Sequence, residues 1–369
     1  MLSAIARASK TLHLEVYSFM PSGVGTLFVD ALARASGRGV AVRVVLDGWG
    51  SAIGGRAIAA ELREAGCDVR IHNRLLSLLV GRFDRNHRKI LLVDDEVAFL
   101  GGLNIGDENV GVGGQPGWAD VALEIRGPAC ARLGRLLRHG PRRDAAGAVR
   151  IYLSGLGGGW RLRRRYVKAF SRARQSIYVA HGYFLPGRGV VRALVAASRR
   201  GVRVHLLLAG RSDVPFARAA TRRLHRRLLA SGVDIREWSH SVLHAKVAAV
   251  DGSSLLIGSF NLDPFSLANL EALVEVTDAR LAVRGEAWVR DHLARSRPVT
   301  FVEANSPLRR WLLDPLGLLV ARLAVAGGRL IAGRKVGRAA QGSRTAGPGS
   351  GVAHATAVGA DSLARPEGF

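Results

Sequence analysis

The sequence predicts an α/β protein in which one layered unit is used twice. Three observations carry that expectation. Apolar, β-branched segments alternate with segments of helical spacing, the order of a sheet covered by helices. The order of segments in residues 1–140 returns in residues 141–300. Each round also ends on the same pattern. His87-Arg-Lys89-Ile-Leu-Leu-Val-Asp94 runs on to Gly101-Gly102-Leu-Asn104, and His244-Ala-Lys246-Val-Ala-Ala-Val-Asp251 runs on to Gly258-Ser259-Phe-Asn261, with every named position at the same spacing.

The first round opens on a helical stretch, Leu2–Lys10. Thr11–Phe19 follows, apolar and β-branched enough to read as a strand, which Pro21-Ser-Gly23 ends. Leu27–Ser36 has helical spacing and stops at Gly37-Arg-Gly39. Val40–Leu46, an apolar run around one arginine, suits a strand buried on both faces. Gly55–Ala65 returns to helix, Gly66 ends it, and Asp68–His72 is a short strand. In the second round Ala169–Gln175 and Ser176–Leu185 correspond to the opening helix and strand. Val190–Arg199 and Gly201–Leu208 form the next pair, and Arg218–Ala230 and Gly232–Arg236 the last. Two copies make a duplicated unit and not a solenoid. The second round also has a strand, Val149–Ser154, and a glycine loop, 155–159, ahead of its first helix. The first round lacks a counterpart, so the natural chain is expected to begin about 20–40 residues earlier.

The 369 residues suffice for two cores of ordinary size, and 48% hydrophobic content can fill them. Fifty-four Lys and Arg against 29 Asp and Glu leave a net charge of +25, which favours an anionic partner such as lipid headgroups or nucleic acid. Cys67 and Cys130 lie far apart and in no metal-ligand spacing, as expected of a reduced intracellular protein without structural zinc. No signal peptide and no run of 18 apolar residues is visible. Residues 301–335 form a separate segment. Within it Leu308–Arg334 interleaves Leu and Ala with arginine and suits a helix lying in a bilayer interface or packed on the second domain. Residues 336–369, rich in Gly, Ala and Ser, read as a disordered tail. Leu75–Val80 is an apolar run that suits either a buried turn or a loop dipping into a membrane.

On a strand, His87 and Lys89 are two apart and share a face, as do His244 and Lys246. Asp94 and Asp251 stand with the candidate catalytic residues as members of the motif. Their place at the strand end, on the opposite face, fits the anchoring of a turn better, and Asp251-Gly252 has hairpin chemistry. Gly101-Gly102 and Gly258-Ser259 end the returning strands, where small residues let an anion approach backbone amides. Bringing the two copies together gathers two His and two Lys around one point, with Asn104 and Asn261 nearby. Two cations and several donors suit a phosphoryl group whose charge grows in the transition state. Two imidazoles supply a nucleophile and a general acid. Neither a metal nor any other cofactor is required by such a set.

HxKxxxxD followed by G-G/S-x-N, used twice, resembles the phospholipase D superfamily over residues 1 to about 300. Arg85-Asn-His-Arg-Lys-Ile, Phe99-Leu-Gly-Gly-Leu-Asn-Ile, Trp118-Ala-Asp120 and the stretch from Leu243 to Glu271 are most similar to bacterial cardiolipin synthases of the short type without N-terminal transmembrane helices. The resemblance implies two α/β/α sandwich domains, residues 1–140 and 141–300, related by a pseudo-twofold with one active site at their interface. It also implies a phosphatidyl-histidine intermediate resolved by an alcohol. By position His87 would be the nucleophile and His244 the general acid. Lys89, Lys246, Asn104, Asn261, Ser259 and Gly102 would surround the phosphate, and Asp120 and Glu271 would orient the histidines. The expected partner is an anionic phospholipid such as phosphatidylglycerol, met at the cytoplasmic side of the cell membrane by a peripheral protein. The oligomeric state is left open. A hydrolytic phospholipase D shares the chemistry with water as acceptor. A nuclease of the superfamily fits the charge but more often carries one motif per chain, which makes nucleic acid the less favoured partner. A non-catalytic membrane-binding protein conflicts with two intact motifs.

Overall fold

The structure, a computed structural model, describes residues 1–73, 84–112, 114–140, 147–211, 215–304 and 354–359. The apolar run 75–80 and the arginine-bearing segment 308–334 lie outside the described residues. Two mixed sheets carry the fold, and their strand orders repeat each other as the duplicated sequence predicts.

A short helix, α1 (Leu2–Ala6), leads into the first sheet. That sheet contains β1 (Thr11–Val16), β2 (Ala41–Asp47), β3 (Asp68–His72), β4 (Ile90–Val93), β5 (Val97–Gly101) and β6 (Val121–Arg126), in the order β6-β5-β4-β1-β2-β3. Strands β1, β2 and β3 are parallel because α2 (Gly23–Gly37) and α3 (Gly55–Glu64) cross over between them. β4, β5 and β6 are antiparallel. The β4–β5 turn, residues 94–96, places Asp94 and Asp95 at φ of +52° and +56°, a left-handed pair that lets the tight turn follow the strand twist.

The second sheet contains β7 (Val149–Leu153), β8 (Ser176–His181), β9 (Arg203–Ala209), β10 (Asp234–Trp238), β11 (Lys246–Val250), β12 (Ser254–Gly258), β13 (Ala272–Val276) and β14 (Arg297–Pro298). Its order is β14-β10-β9-β8-β11-β12-β13-β7. Asp251 and Gly252, at φ of +54° and +59°, make the corresponding turn. Helices α5 (Gly159–Arg172), α6 (Arg188–Arg199) and α7 (Pro215–Leu229) belong to this half.

The inner faces of the two sheets share one core. Ile90, Leu92, Leu100 and Leu123 of the first pack in the same cluster as Val247, Ile257, Val274 and Tyr178 of the second. Two helices that the sequence pattern did not single out close this layer: α4 (Pro128–His139), through Cys130 and Leu133, and α8 (Ala279–Ala294), through Leu281 and Val289. The outer faces carry separate cores, one under α2 and α3 around Phe28, Leu32 and Leu62, the other under α5 and α6 around Tyr166, Phe170 and Leu194. Sheets buried on both faces explain why their strands read as continuous apolar runs.

Residues 336–369 were expected to be without structure, and six of them are not. His354–Gly359 forms β15, antiparallel to β6, with His354 opposite Arg126 and Gly359 opposite Val121. It lies on the flank that β7 occupies on β13 in the second sheet. Without it β6 would present an unpaired row of amides and carbonyls. Composition does not announce such a strand, because edge pairing is made by backbone groups and asks little of the side chains. We expect a chain ending at Val352 to melt about 3–5 °C lower and to self-associate through the bared β6 edge. Calorimetry and light scattering measure both; an unchanged midpoint with a monodisperse sample would show that β15 contributes nothing.

Candidate active site

His87 and Lys89 sit at the entry to β4, and His244 and Lys246 at the entry to β11. All four side chains are buried, Lys246 completely. The entries to both strands are pinned by the opposite half of the chain. The His87 amide donates to the Leu270 carbonyl at 2.9 Å, and the Leu270 amide to Arg85 at 2.9 Å. The Ala119 amide donates to Val242 at 2.8 Å, and the His244 amide to Ala119 at 2.9 Å.

The acidic partners cross over in the same way. Nδ1 of His87 lies 3.1 Å from both carboxylate oxygens of Glu271, and Nδ1 of His244 lies 2.5 Å from Oδ2 of Asp120. Each histidine is thus oriented by a carboxylate from the other half, with Nε2 left for chemistry. The lysines turn back on their own histidines: Nζ of Lys89 donates to the His87 carbonyl at 2.8 Å, and Nζ of Lys246 to that of His244. Aromatic rings wall both imidazoles. Tyr17 meets His87 edge-on at 4.8 Å, and Trp118 and Tyr183 approach His244 at 5.2 and 6.1 Å.

Burial and like charge act together here. Burial, then Lys89, Lys246 and His244, drive the pKa of His87 well below the ordinary imidazole value. Burial and Lys246 push Lys89 down to about 7. Burial and Lys246 also lower His244, with Asp120 opposing. The two carboxylates diverge. Burial pushes Glu271 up to about 8 against the pull of Lys89 and Ser259. Burial acts in the same sense on Asp120, but His244 and Lys246 outweigh it and hold that carboxyl low. The two pairs thus differ: Asp120 is held in its charged form, while burial raises Glu271 toward neutrality.

The Gly102/Ser259 difference follows from this geometry. Oγ of Ser259 donates to Oε2 of Glu271 and accepts from the Ala272 amide. At Gly102 an added Cβ would lie 2.1 Å from Oδ1 of Asp120. The shorter acid stands where the longer acid's serine would be. The amides of Gly102 and Ser259 donate to the Val121 and Ala272 carbonyls at 3.0 and 2.9 Å. Both are thus engaged within the sheet, and the expectation that these positions meet the phosphate gives way to one in which they seat the two acids.

Asn104 and Asn261 follow β5 and β12, opposite the entries to β4 and β11, at the histidine end of each sheet. Neither is hydrogen-bonded to a motif His or Lys. Oδ1 of Asn104 accepts from the Ser18 amide at 3.3 Å, while Oδ1 of Asn261 is buried without a partner. Asp94 and Asp251 are at the far end, and their place among the catalytic candidates is corrected here. Asp94 accepts from the amides of Ser9, Lys10 and Thr11 at 2.8–2.9 Å. Asp251 accepts from those of Arg174, Gln175 and Ser176. Asp94 anchors the approach to β1 and Asp251 the approach to β8, the turn-anchoring job their face predicts.

Sequence reasoning missed the support beneath His87. Glu15 accepts from Asn86 Nδ2 at 2.9 Å and pairs with Arg88, whose guanidinium also donates to the Ser154 carbonyl at 2.6 Å. Burial opposes ionisation of Glu15, but His13 and Arg88 hold it at about 2. Asp47 takes the Asn86 amide at 2.7 Å. Ser154 Oγ accepts from the Glu271 amide at 2.8 Å. A charged residue inside an apolar strand was the available signal for Glu15. Asp263, also unforeseen, is pushed by burial to about 6 and feels Lys246. Among the described residues no group of three or more His, Cys, Asp or Glu is arranged to hold a metal ion.

The profile described as "Cardiolipin synthase, PLD-like domain" matches residues 1–114 and 166–293. Cardiolipin synthase B of Salmonella typhimurium is 33% identical over 302 residues, covering 75% of this chain and 73% of that protein. Cardiolipin synthase 1 of Staphylococcus aureus is 28% identical over 347 residues, covering 87% and 70%. Among solved structures, phosphatidylserine synthase of Haemophilus influenzae superposes with a TM-score of 0.69 at 14% identity, covering 89% of this chain and 91% of that one. At that identity the likeness is one of fold.

Three outcomes are expected. Gly102→Ala should displace Asp120 from His244 and lower turnover about 100-fold. Ser259→Ala should be milder, since it removes one hydrogen-bonding hydroxyl and adds no clash; equal effects would refute the steric account. Lys89→Met should stabilise the fold by about 1–2 kcal/mol below pH 7 while abolishing activity. With its folded pKa depressed to about 7, the natural lysine binds fewer protons folded than unfolded from there up to its unfolded range. The gain must therefore shrink as pH rises through that window. Urea titrations across pH test this, and a pH-independent difference would rule it out.

Proposed function

The chain belongs to the family of phospholipase D-like cardiolipin synthases, and on that premise we propose that it moves a phosphatidyl group through a covalent intermediate on His87. The observation that carries the reading is the crossed pairing of each motif histidine with a carboxylate of the other half. As a cardiolipin synthase-like phosphatidyltransferase it needs a nucleophile and a proton donor facing one phosphorus, and the two differently charged pairs supply them.

In the first step Nε2 of His87, neutral and holding its proton on Nδ1 toward Glu271, attacks the phosphorus of phosphatidylglycerol. The bond from phosphorus to the glycerol oxygen breaks, and His244 gives that oxygen its Nε2 proton, so glycerol leaves. Asp120 keeps its charge and steadies the imidazolium that donates. In the second step the hydroxyl of another phosphatidylglycerol passes its proton to His244 and attacks phosphorus. The phosphorus–nitrogen bond then breaks, freeing His87 and releasing cardiolipin. Lys89, Lys246, Asn261 and Asn104 neutralise or hydrogen-bond the equatorial oxygens, which gain charge in both transition states. Asp94 and Asp251 have no part in these steps.

Among the described residues no helix is long and apolar enough to cross a membrane, and we infer that the lipid is taken from a membrane surface. Labelled phosphatidylglycerol vesicles should yield cardiolipin and free glycerol. His87→Ala and His244→Ala should each lower the rate at least about 1,000-fold. Because His87 is held below the ordinary imidazole range, activity should persist below pH 6.5 before the acid limb falls. Phosphatidic acid as the product would mean water is the acceptor; DNA cleavage without lipid turnover would overturn the lipid reading.

A further inference from the structure

A strip of apolar side chains stands exposed on the rim of the site, on the side of the second half. Leu156 is 58% exposed, Trp160 43% and Phe265 43%. Two stretches of chain bring them together. The loop after β7 and the start of α5 lie against residues 265–268, the Gly157 amide donating to Ala268 at 3.4 Å and the Gly159 amide to Leu267 at 3.3 Å. Close approach here depends on glycine, because a Cβ at Gly159 would lie 2.4 Å from the Ser266 carbonyl. The strip adjoins the chemistry. Leu156 follows by two residues Ser154, which holds the Glu271 amide, and Phe265 follows by four Asn261.

One exposed apolar side chain on a surface is ordinary, but a contiguous group beside a site marks an interaction surface. What surrounds this one identifies its occupant. Arg164 and Lys168 are exposed on the same face of α5 as Trp160, four and eight residues on, and Arg161 is exposed beside it. The guanidinium carbons of Arg161 and Arg164 lie 5.4 and 5.7 Å from the centre of the Trp160 ring. The first turn of α5 carries no acidic residue. A tryptophan flanked by two guanidinium groups, with two further exposed apolar side chains on the adjoining loops, suits the boundary between headgroups and acyl chains of an anionic bilayer.

We propose that Leu156, Trp160 and Phe265, with Arg161, Arg164 and Lys168, form the surface by which this protein seats its active site on an anionic phospholipid bilayer. The proposal rests on the lipid reading above and adds to it where the membrane is met. The apolar strip enters the outermost acyl layer while the basic face of α5 lies on the headgroups. That posture brings the headgroup of a lipid still rooted in the leaflet to the rim of the His87–His244 site. Each basic side chain near an anionic surface is worth about a fivefold gain in partition, so three supply a large share of the attachment.

The test compares the natural chain with two variants, Leu156→Ser with Trp160→Ser, and Arg161→Gln with Arg164→Gln and Lys168→Gln. None of these positions belongs to the catalytic set, and thermal midpoints check folding. Sedimentation with vesicles of phosphatidylglycerol and phosphatidylcholine should show each variant binding at least about tenfold more weakly, with a matching loss of turnover on vesicles. Turnover of dihexanoyl phosphatidylglycerol below its critical micelle concentration should stay within about twofold of the natural chain. Undiminished vesicle binding in both variants, or equal binding of the natural chain to pure phosphatidylcholine, overturns the proposal. Loss of turnover on the monomeric lipid by a folded variant overturns it as well, since the strip would then act on catalysis directly. Vesicle binding that depends on the strip, in a chain that turns over no phospholipid, would support the surface and refute the proposed activity instead.

Discussion

Everything in this molecule that bears on chemistry depends on two hydrogen-bonded pairs that cross between its halves. His87 reaches Glu271, and His244 reaches Asp120. Neither half contains a complete pair, so the shared core between the sheets has a functional as well as a stabilising role: it sets the distance over which each carboxylate must reach. The backbone bridges at Asn86–Leu270 and Ala119–Leu243 fix that distance beside each histidine. A rigid frame is what a site of this kind requires, since a carboxylate displaced by an ångström no longer selects the tautomer that leaves Nε2 available.

Such a frame has an energetic cost. Two histidines, two lysines and two carboxylates are removed from water together; Lys246 depresses Lys89, and both lysines depress the imidazoles. The fold offsets this around the pocket. Asn86 is held between Glu15 and Asp47, Arg88 ties the first half to the Ser154 carbonyl, and tyrosine rings lie under both ammonium groups. An arriving phosphodiester would contribute the negative charge that the pocket lacks, which makes substrate binding and relief of repulsion the same event.

The halves are alike in plan and different in detail, and the differences are physical. A short acid against His244 leaves no room for a side chain at position 102, while a longer acid against His87 takes a serine hydroxyl at 259. One pair is centred on an anion and the other on a carboxyl near neutrality. A duplicated scaffold can therefore set its two imidazoles, both lowered by burial, against acids of different charge. Two identical halves would have given two equal pairs.

The repeat of His, Lys, Asp, Gly and Asn was legible from the chain alone, and with it the duplication, the alternation of buried strands and helices, and the residues that meet at the centre. These are local: spacing two on a strand fixes a common face, and a turn residue announces its turn. The anchoring role of Asp94 and Asp251 was legible for the same reason. Glu15, Asp47 and Ser154 were not, because their importance comes from partners about 40 to 120 positions away that only the packed sheets bring near. Nor was β15, whose pairing with β6 is made by backbone groups that every residue possesses. Sequence by itself determined the two motif copies and named the histidines, lysines and acids that the fold brings together. Tertiary structure decided which carboxylate serves which histidine, how far each is charged, and which loops stand exposed at the rim, because burial and electrostatic coupling are properties of the assembled interior and have no meaning along an extended chain.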